Sequence, residues 1–156
     1  METFYTFTFN TLNGSSDSSE QTIVIRDEIL YGIICSLYSP DSNDTTFIVR
    51  SNKGITLNMD DINKIYYRHY ISAYVLEPPI DSHVFDEIAK IIPVTYRTNT
   101  KNFILDTTDS LVKAFKFDSP YFLQGYITGL NWLGHANAQS DVLVYNYEGQ
   151  NIDVKY

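Results

Sequence analysis

Basic residues are scarce in this chain of 156 residues: Lys and Arg together number 11 against 19 Asp and Glu, for a formal net charge of −8. The acid count is ordinary. Charged residues make up 19% of the chain, below the roughly 25% of an average domain, so the acidity comes from missing bases. A surface without clustered Lys and Arg disfavours binding to a phosphate backbone and to anionic membranes. A basic protein partner would be attracted to it. The imbalance is uneven: residues 1–50 carry Glu2, Asp17, Glu20, Asp27, Glu28, Asp41 and Asp44 against only Arg26 and Arg50.

Cysteine is nearly absent. Cys35 stands alone, so no internal disulfide forms, and its aliphatic neighbours mark it as a buried thiol in a reducing compartment. The N-terminal "METFYTFTFN" has neither a basic n-region nor a cleavage site, so no signal peptide is expected and the protein is read as cytoplasmic. Without a secretion signal, the glycosylation patterns at Asn13 and Asn43 read as chance matches.

A long apolar run is also missing. The best candidate, "LQGYITGLNWLGH" (residues 123–135), is interrupted by Gln124, Thr128 and Asn131, and a membrane span needs about 20 apolar residues. No membrane association is expected. On a helix, Gln124, Thr128, Asn131 and His135 form one narrow stripe, with Phe122, Tyr126, Leu130 and Leu133 roughly opposite. Gly125 and Gly129 share a side bordered by Tyr121 and Trp132. Two interior glycines cost about 2 kcal/mol relative to alanine, and two readings account for that cost. One is close packing against another backbone of the same fold. The other is a groove, flanked by Tyr121 and Trp132, that accepts a partner or a small ligand.

Catalytic patterns are weak. Cys35 with His69, His83 or His135 supplies the letters of a nucleophilic set, but no nucleophile turn surrounds the cysteine. The histidines form no His-x-x-x-His or His-x-Glu pair. The segment from Asp41 begins like a calcium loop and lacks its central Gly and closing Glu. No phosphate-binding glycine loop occurs. No catalytic, cofactor-binding or metal-binding residue is therefore assigned, and no cofactor is expected.

What is present is a series of short elements. Residues 3–9 read as a strand with Tyr5, Phe7 and Phe9 on one face, and residues 10–21 as a flexible loop before a strand at "TIVIR". "DEILYGIICSLYSP" is read as a buried strand entering a turn at Pro40, although Asp27 as a cap would place Ile29, Leu30, Ile33, Ile34 and Leu37 inward on a helix. "TTFIVRSNKGITLN" is a hairpin around Asn52-Lys53-Gly54. Asn58 resembles a helix cap with Asp60 and Asp61 in the first turn. The helical spacing continues past His69, unless "ISAYVLE" breaks away as a strand. Ser82 caps a helix over "HVFDEIAKII". "VTYRTN" and "NFILDT" read as strands joined by a tight turn, Thr107 or Thr108 as the cap of a short helix through Phe115, and Ser119-Pro120 as another helix start. The chain closes as a hairpin around Glu148-Gly149-Gln150. No internal repeat is evident. The expected fold is a single α+β domain over residues 1–156, a mostly antiparallel sheet packed by two or three helices.

The function expected from charge is an acidic intracellular protein-binding module, an inhibitor or immunity/antitoxin-type protein that occludes a basic partner without binding nucleic acid directly. The candidate contacts are Asp41, Asp44, Asp60, Asp61, Tyr67, Tyr121 and Trp132. The alternatives are a small hydrolase-type enzyme using dispersed acidic residues and a nucleic-acid mimic, which needs about one negative charge per 1.7 Å.

Overall fold

Among the described residues, two four-stranded antiparallel sheets are joined by two nearly all-apolar helices. The computed structural model describes residues 4–10, 18–24, 27–38, 47–69, 102–106, 113–117, 119–134, 142–146 and 150–152. Sheet A contains β1 (Phe4–Asn10), β2 (Ser18–Val24), β3 (Phe47–Ser51) and β4 (Thr56–Leu57), in the order β2-β1-β3-β4. Sheet B contains β5 (Asn102–Asp106), β6 (Lys113–Phe117), β7 (Val142–Asn146) and β8 (Asn151–Ile152), in the order β6-β5-β7-β8. The helices are α1 (Asp27–Leu37), α2 (Met59–His69) and α3 (Pro120–Trp132). The α+β class with antiparallel pairing is as the sequence predicts.

Each sheet is positioned by its inward residues. In sheet A, Tyr5, Phe7, Phe47 and Val49 pack against Ile29, Leu30, Ile33, Ile34 and Leu37 of α1. Phe4, Ile48 and Arg50 point away and are exposed. In sheet B, Ile104, Phe115, Phe117 and Val144 pack against Phe122, Leu123, Tyr126 and Leu130 of α3. Its opposite face is buried as well, through Phe103, Leu105 and Tyr145.

The structure corrects four sequence-based expectations. Residues 27–37 are a helix, not a strand. Ile29, Leu30 and residues 32–37 are all buried, so the helix has no polar face to reveal its period. Residues 113–117 are a strand, not the end of a short helix. There "KAFKF" alternates, placing Phe115 and Phe117 on the face shared with Ile104 and Asn102. β2 begins at Ser18, inside the segment read as a flexible loop, because its polar first half pairs with β1 from Asn10 to Phe7. β5 itself pairs with β6 on one side and β7 on the other. The predicted strand at residues 94–99, the helix over 83–92 and the continuation of α2 past His69 lie outside the described residues.

The fourth correction concerns repetition, where the sequence shows no evident internal repeat. Among the described residues, β1-β2-α1-β3-β4 and β5-β6-α3-β7-β8 repeat the same order of strands and helix, and both sheets have the same spatial order. "LYGIICSL" of α1 matches "LQGYITGL" of α3, with Leu30, Gly32, Ile34 and Leu37 corresponding to Leu123, Gly125, Ile127 and Leu130. The closing hairpins also match. The Ser51 N–H donates to the Ile55 carbonyl (2.8 Å) and the Asn146 N–H to the Gln150 carbonyl (2.9 Å). In return, the Ser51 Oγ accepts from the Ile55 N–H (3.2 Å) and the Asn146 Oδ1 from the Gln150 N–H (3.0 Å). The chain is a structural duplication of one ββαββ unit.

The units join through their helices. A Cβ on Gly32 would lie 2.1 Å from the Phe122 carbonyl oxygen, and one on Gly125 would lie 2.1 Å from the Ile29 carbonyl oxygen. Ile29 and Phe122 occupy the same place in the two matching segments, so the contacts are reciprocal, as a pseudo-twofold axis between the helices requires. α2 follows β4 and lies against α1 and β6, inserting Ile62 and Tyr66. The ring of Tyr66 stands 4.6 Å from Tyr38 and 5.7 Å from Phe115.

Candidate functional site

The glycine side of α3 is filled by α1 and is not a groove. Besides the contacts of Gly32 and Gly125, a Cβ on Gly129 would meet the Ser36 Oγ at 1.8 Å. Backbones approach this closely only where side chains are absent. The packing reading of the two glycines is therefore correct.

α3 starts at Ser119, whose Oγ accepts from the Tyr121 N–H (3.2 Å), with Pro120 in the first turn. It ends at Gly134, whose φ of 90° is the left-handed conformation that closes helices. Between these ends, Tyr121 and Trp132 are half-buried. The Trp132 ring packs edge-on to Phe7 of β1, 5.3 Å between centroids. Both aromatics flank the Gln124–Thr128–Asn131 stripe.

The predicted acids divide. Asp60 is exposed in the first turn of α2. Asp61 is engaged in the cap: its N–H donates to the Asn58 Oδ1 (3.0 Å), and its Oδ2 accepts from the Asn58 N–H (3.2 Å). This reciprocal pair satisfies two of the backbone N–H groups at the helix start. Lys64 and Arg68 are exposed farther along the same helix, so α2 is not an acidic face. Tyr67 is 58% exposed, the highest value among large hydrophobic residues here, which suits a contact residue. Asp41 and Asp44 lie outside the described residues. The predicted contacts that are described thus fall into two groups, Asp60, Asp61 and Tyr67 on α2, and Tyr121 and Trp132 on α3.

Three further acids were not among the predicted contacts. Asp27 and Glu28 are exposed at the start of α1, the helix that Asp27 as a cap would begin and that the strand reading set aside. Asp27 accepts from the Tyr5 hydroxyl (3.0 Å). Burial, with the Asp27 carboxylate beside it, pushes the Tyr5 hydroxyl up to about 12. The third is Asp106, 1% exposed, which accepts a hydrogen bond from the Tyr126 hydroxyl. Burial pushes Tyr126 well above the usual tyrosine range, and Asp106, Cys35 and Tyr66 add to the shift. Cys35 itself is fully buried in the same cluster.

Among the described residues, no three His, Cys, Asp or Glu side chains group to hold a metal ion, and no helix is long and apolar enough to cross a membrane. Charge on the described residues balances. Six acids (Glu20, Asp27, Glu28, Asp60, Asp61, Asp106) meet six bases (Arg50, Lys53, Lys64, Arg68, Lys113, Lys116). Compared with known proteins, the chain matches no family model, no curated protein and no solved structure.

Proposed function

We propose that the chain is an acidic protein-binding module of the inhibitor, immunity-protein or antitoxin kind, acting in the cytoplasm by occluding a basic partner. The distribution of charge carries this reading. The chain carries a net −8, and residues 1–50 alone hold seven acids against two bases, Asp41 and Asp44 among the acids. A surplus of negative charge steers a basic macromolecule and speeds its encounter. Asp60 and the exposed Tyr67 on α2 would add a carboxylate and an aromatic anchor to the contact.

The test is capture of a basic protein on the immobilised full chain while salt rises from about 0.05 to about 0.5 M, which shortens the screening length roughly threefold. A partner held at low salt and shed at high salt is expected, with slower association when Asp41→Lys and Asp44→Lys are combined. Capture indifferent to both salt and charge reversal would remove the electrostatic reading.

A further inference from the structure

We propose that Tyr126, hydrogen-bonded to Asp106, is a redox-active tyrosine that gives up one electron to a one-electron oxidant at the surface, through a line of aromatic rings ending at Tyr67. Ring contacts define the line. Tyr67 on α2 is 58% exposed. Its ring centroid lies 5.7 Å from that of Tyr66, Tyr66 lies 5.7 Å from Phe115 of β6, and Phe115 lies 5.2 Å from Tyr126 of α3. Beyond Tyr67 every ring is buried. Tunnelling falls off exponentially with distance, so rings in near contact carry an electron where one long step would not. Phe115 is too hard to oxidise to hold the vacancy, and serves as the medium between Tyr66 and Tyr126.

The carboxylate at the inner end separates this arrangement from an ordinary aromatic core. Asp106 is the one acid that is buried among the described residues, and it accepts the Tyr126 hydroxyl. A hydrogen bond alone is met at lower cost by a neutral side chain, because burying a charge is expensive. A carboxylate adds a base already within reach of the phenolic proton. At rest, burial holds that phenol protonated.

The step balances on these two residues. One electron leaves Tyr126 and reduces the oxidant by one unit. The phenolic O–H bond breaks, and its proton forms the carboxylic acid of Asp106. A neutral phenoxyl radical remains. Oxidation of an isolated buried phenol would leave a positive charge in apolar surroundings. Here the pair passes from one negative charge to none, so the low dielectric of the core favours the oxidised state. A one-electron reductant reverses the step, returning the electron along the same rings and the proton from Asp106 to the phenol. Burial of Tyr126 keeps the radical from meeting another molecule.

Flash photolysis of the full chain with tris(bipyridine)ruthenium and a cobalt(III) quencher tests this, since the cationic oxidant is drawn to a chain of net charge −8. The expected result is a tyrosyl absorbance with a long-lived component, formed more slowly in heavy water because the proton moves with the electron. Tyr126→Phe should lose that component. Tyr67→Phe should slow its formation and leave its lifetime unchanged. Circular dichroism establishes that each variant is folded. In the wild-type chain, which depends on no variant, electron–nuclear double resonance of the trapped radical should show an exchangeable proton hydrogen-bonded to the phenoxyl oxygen, the one Asp106 received. A wild-type chain that forms only short-lived radicals overturns the proposal. So does a trapped radical without that proton, a folded Tyr126→Phe chain that keeps the long-lived component, or a folded Tyr67→Phe chain in which it forms at the wild-type rate.

Discussion

A single methyl group decides whether the two helices can meet. Gly32→Ala would drive Cβ to 2.1 Å from the Phe122 carbonyl, and Gly125→Ala does the same to Ile29. Backbone cannot retreat as a side-chain tip can, so each substitution is expected to cost about 2 kcal/mol or more despite the better helix propensity of alanine. Urea denaturation should show closely similar losses for the pair, since their surroundings are equivalent. Gly129→Ala differs, because its obstacle is the Ser36 Oγ. Combining it with Ser36→Ala should recover part of the loss, which a double-mutant cycle measures directly. The cost of these glycines was readable from their place inside a helical pattern. Their neighbour was not, since nothing in residues 123–135 names α1 as the opposing backbone. Tyrosines set a second residue-scale behaviour. Folding holds Tyr5 and Tyr126 in the neutral form by raising both above their ordinary value of 10.0. The stability from this is complete below the unfolded value and declines as pH rises through the folded one, hence between 10 and about 12 for Tyr5. Denaturation midpoints should fall across that window, and Tyr5→Phe should make the fall shallower.

At the scale of elements, caps and periods account for what was legible. α2 was found from Asn58 and its following acids, and its cap is a reciprocal side-chain pair. Asn58→Ala should therefore cost about 1 kcal/mol, seen as a lower urea midpoint with unchanged cooperativity. α3 was found from Ser119-Pro120, and the hairpin β3–β4 from its turn, where Gly54 adopts a φ of 80°. α1 and β6 were misread for opposite physical reasons. α1 is buried on nearly every side, which erases the polar stripe that announces a helix. β6 follows two threonines that suit a helix cap, and only its pairing with β5 fixes it as a strand. Local chemistry favours one element there, and tertiary pairing selects another. Among the candidate contacts, Tyr67 was found at an exposed position, but the structural duty of Asp61 in the cap depends on geometry that composition does not encode.

For the whole molecule, the duplication was hidden because it is written mainly in topology. Only the short match between the helices survives as sequence, in positions where packing leaves few choices: two glycines at the contact and aliphatic residues against the sheets. The two cores are not separate. Tyr31 and Tyr38 touch both hydrophobic clusters, and Cys35 of the first unit belongs to the cluster on sheet B. The units are thus expected to unfold as one cooperative system, with no plateau in an equilibrium denaturation curve. The lone tryptophan provides the means to see this. Trp132 belongs to the second unit, yet its indole rests against Phe7 of the first. Its fluorescence therefore watches the seam between the repeats, while far-UV ellipticity watches the strands and helices of both. If the halves come apart before they melt, emission will change first, and one chromophore placed by chance of sequence will date the separation.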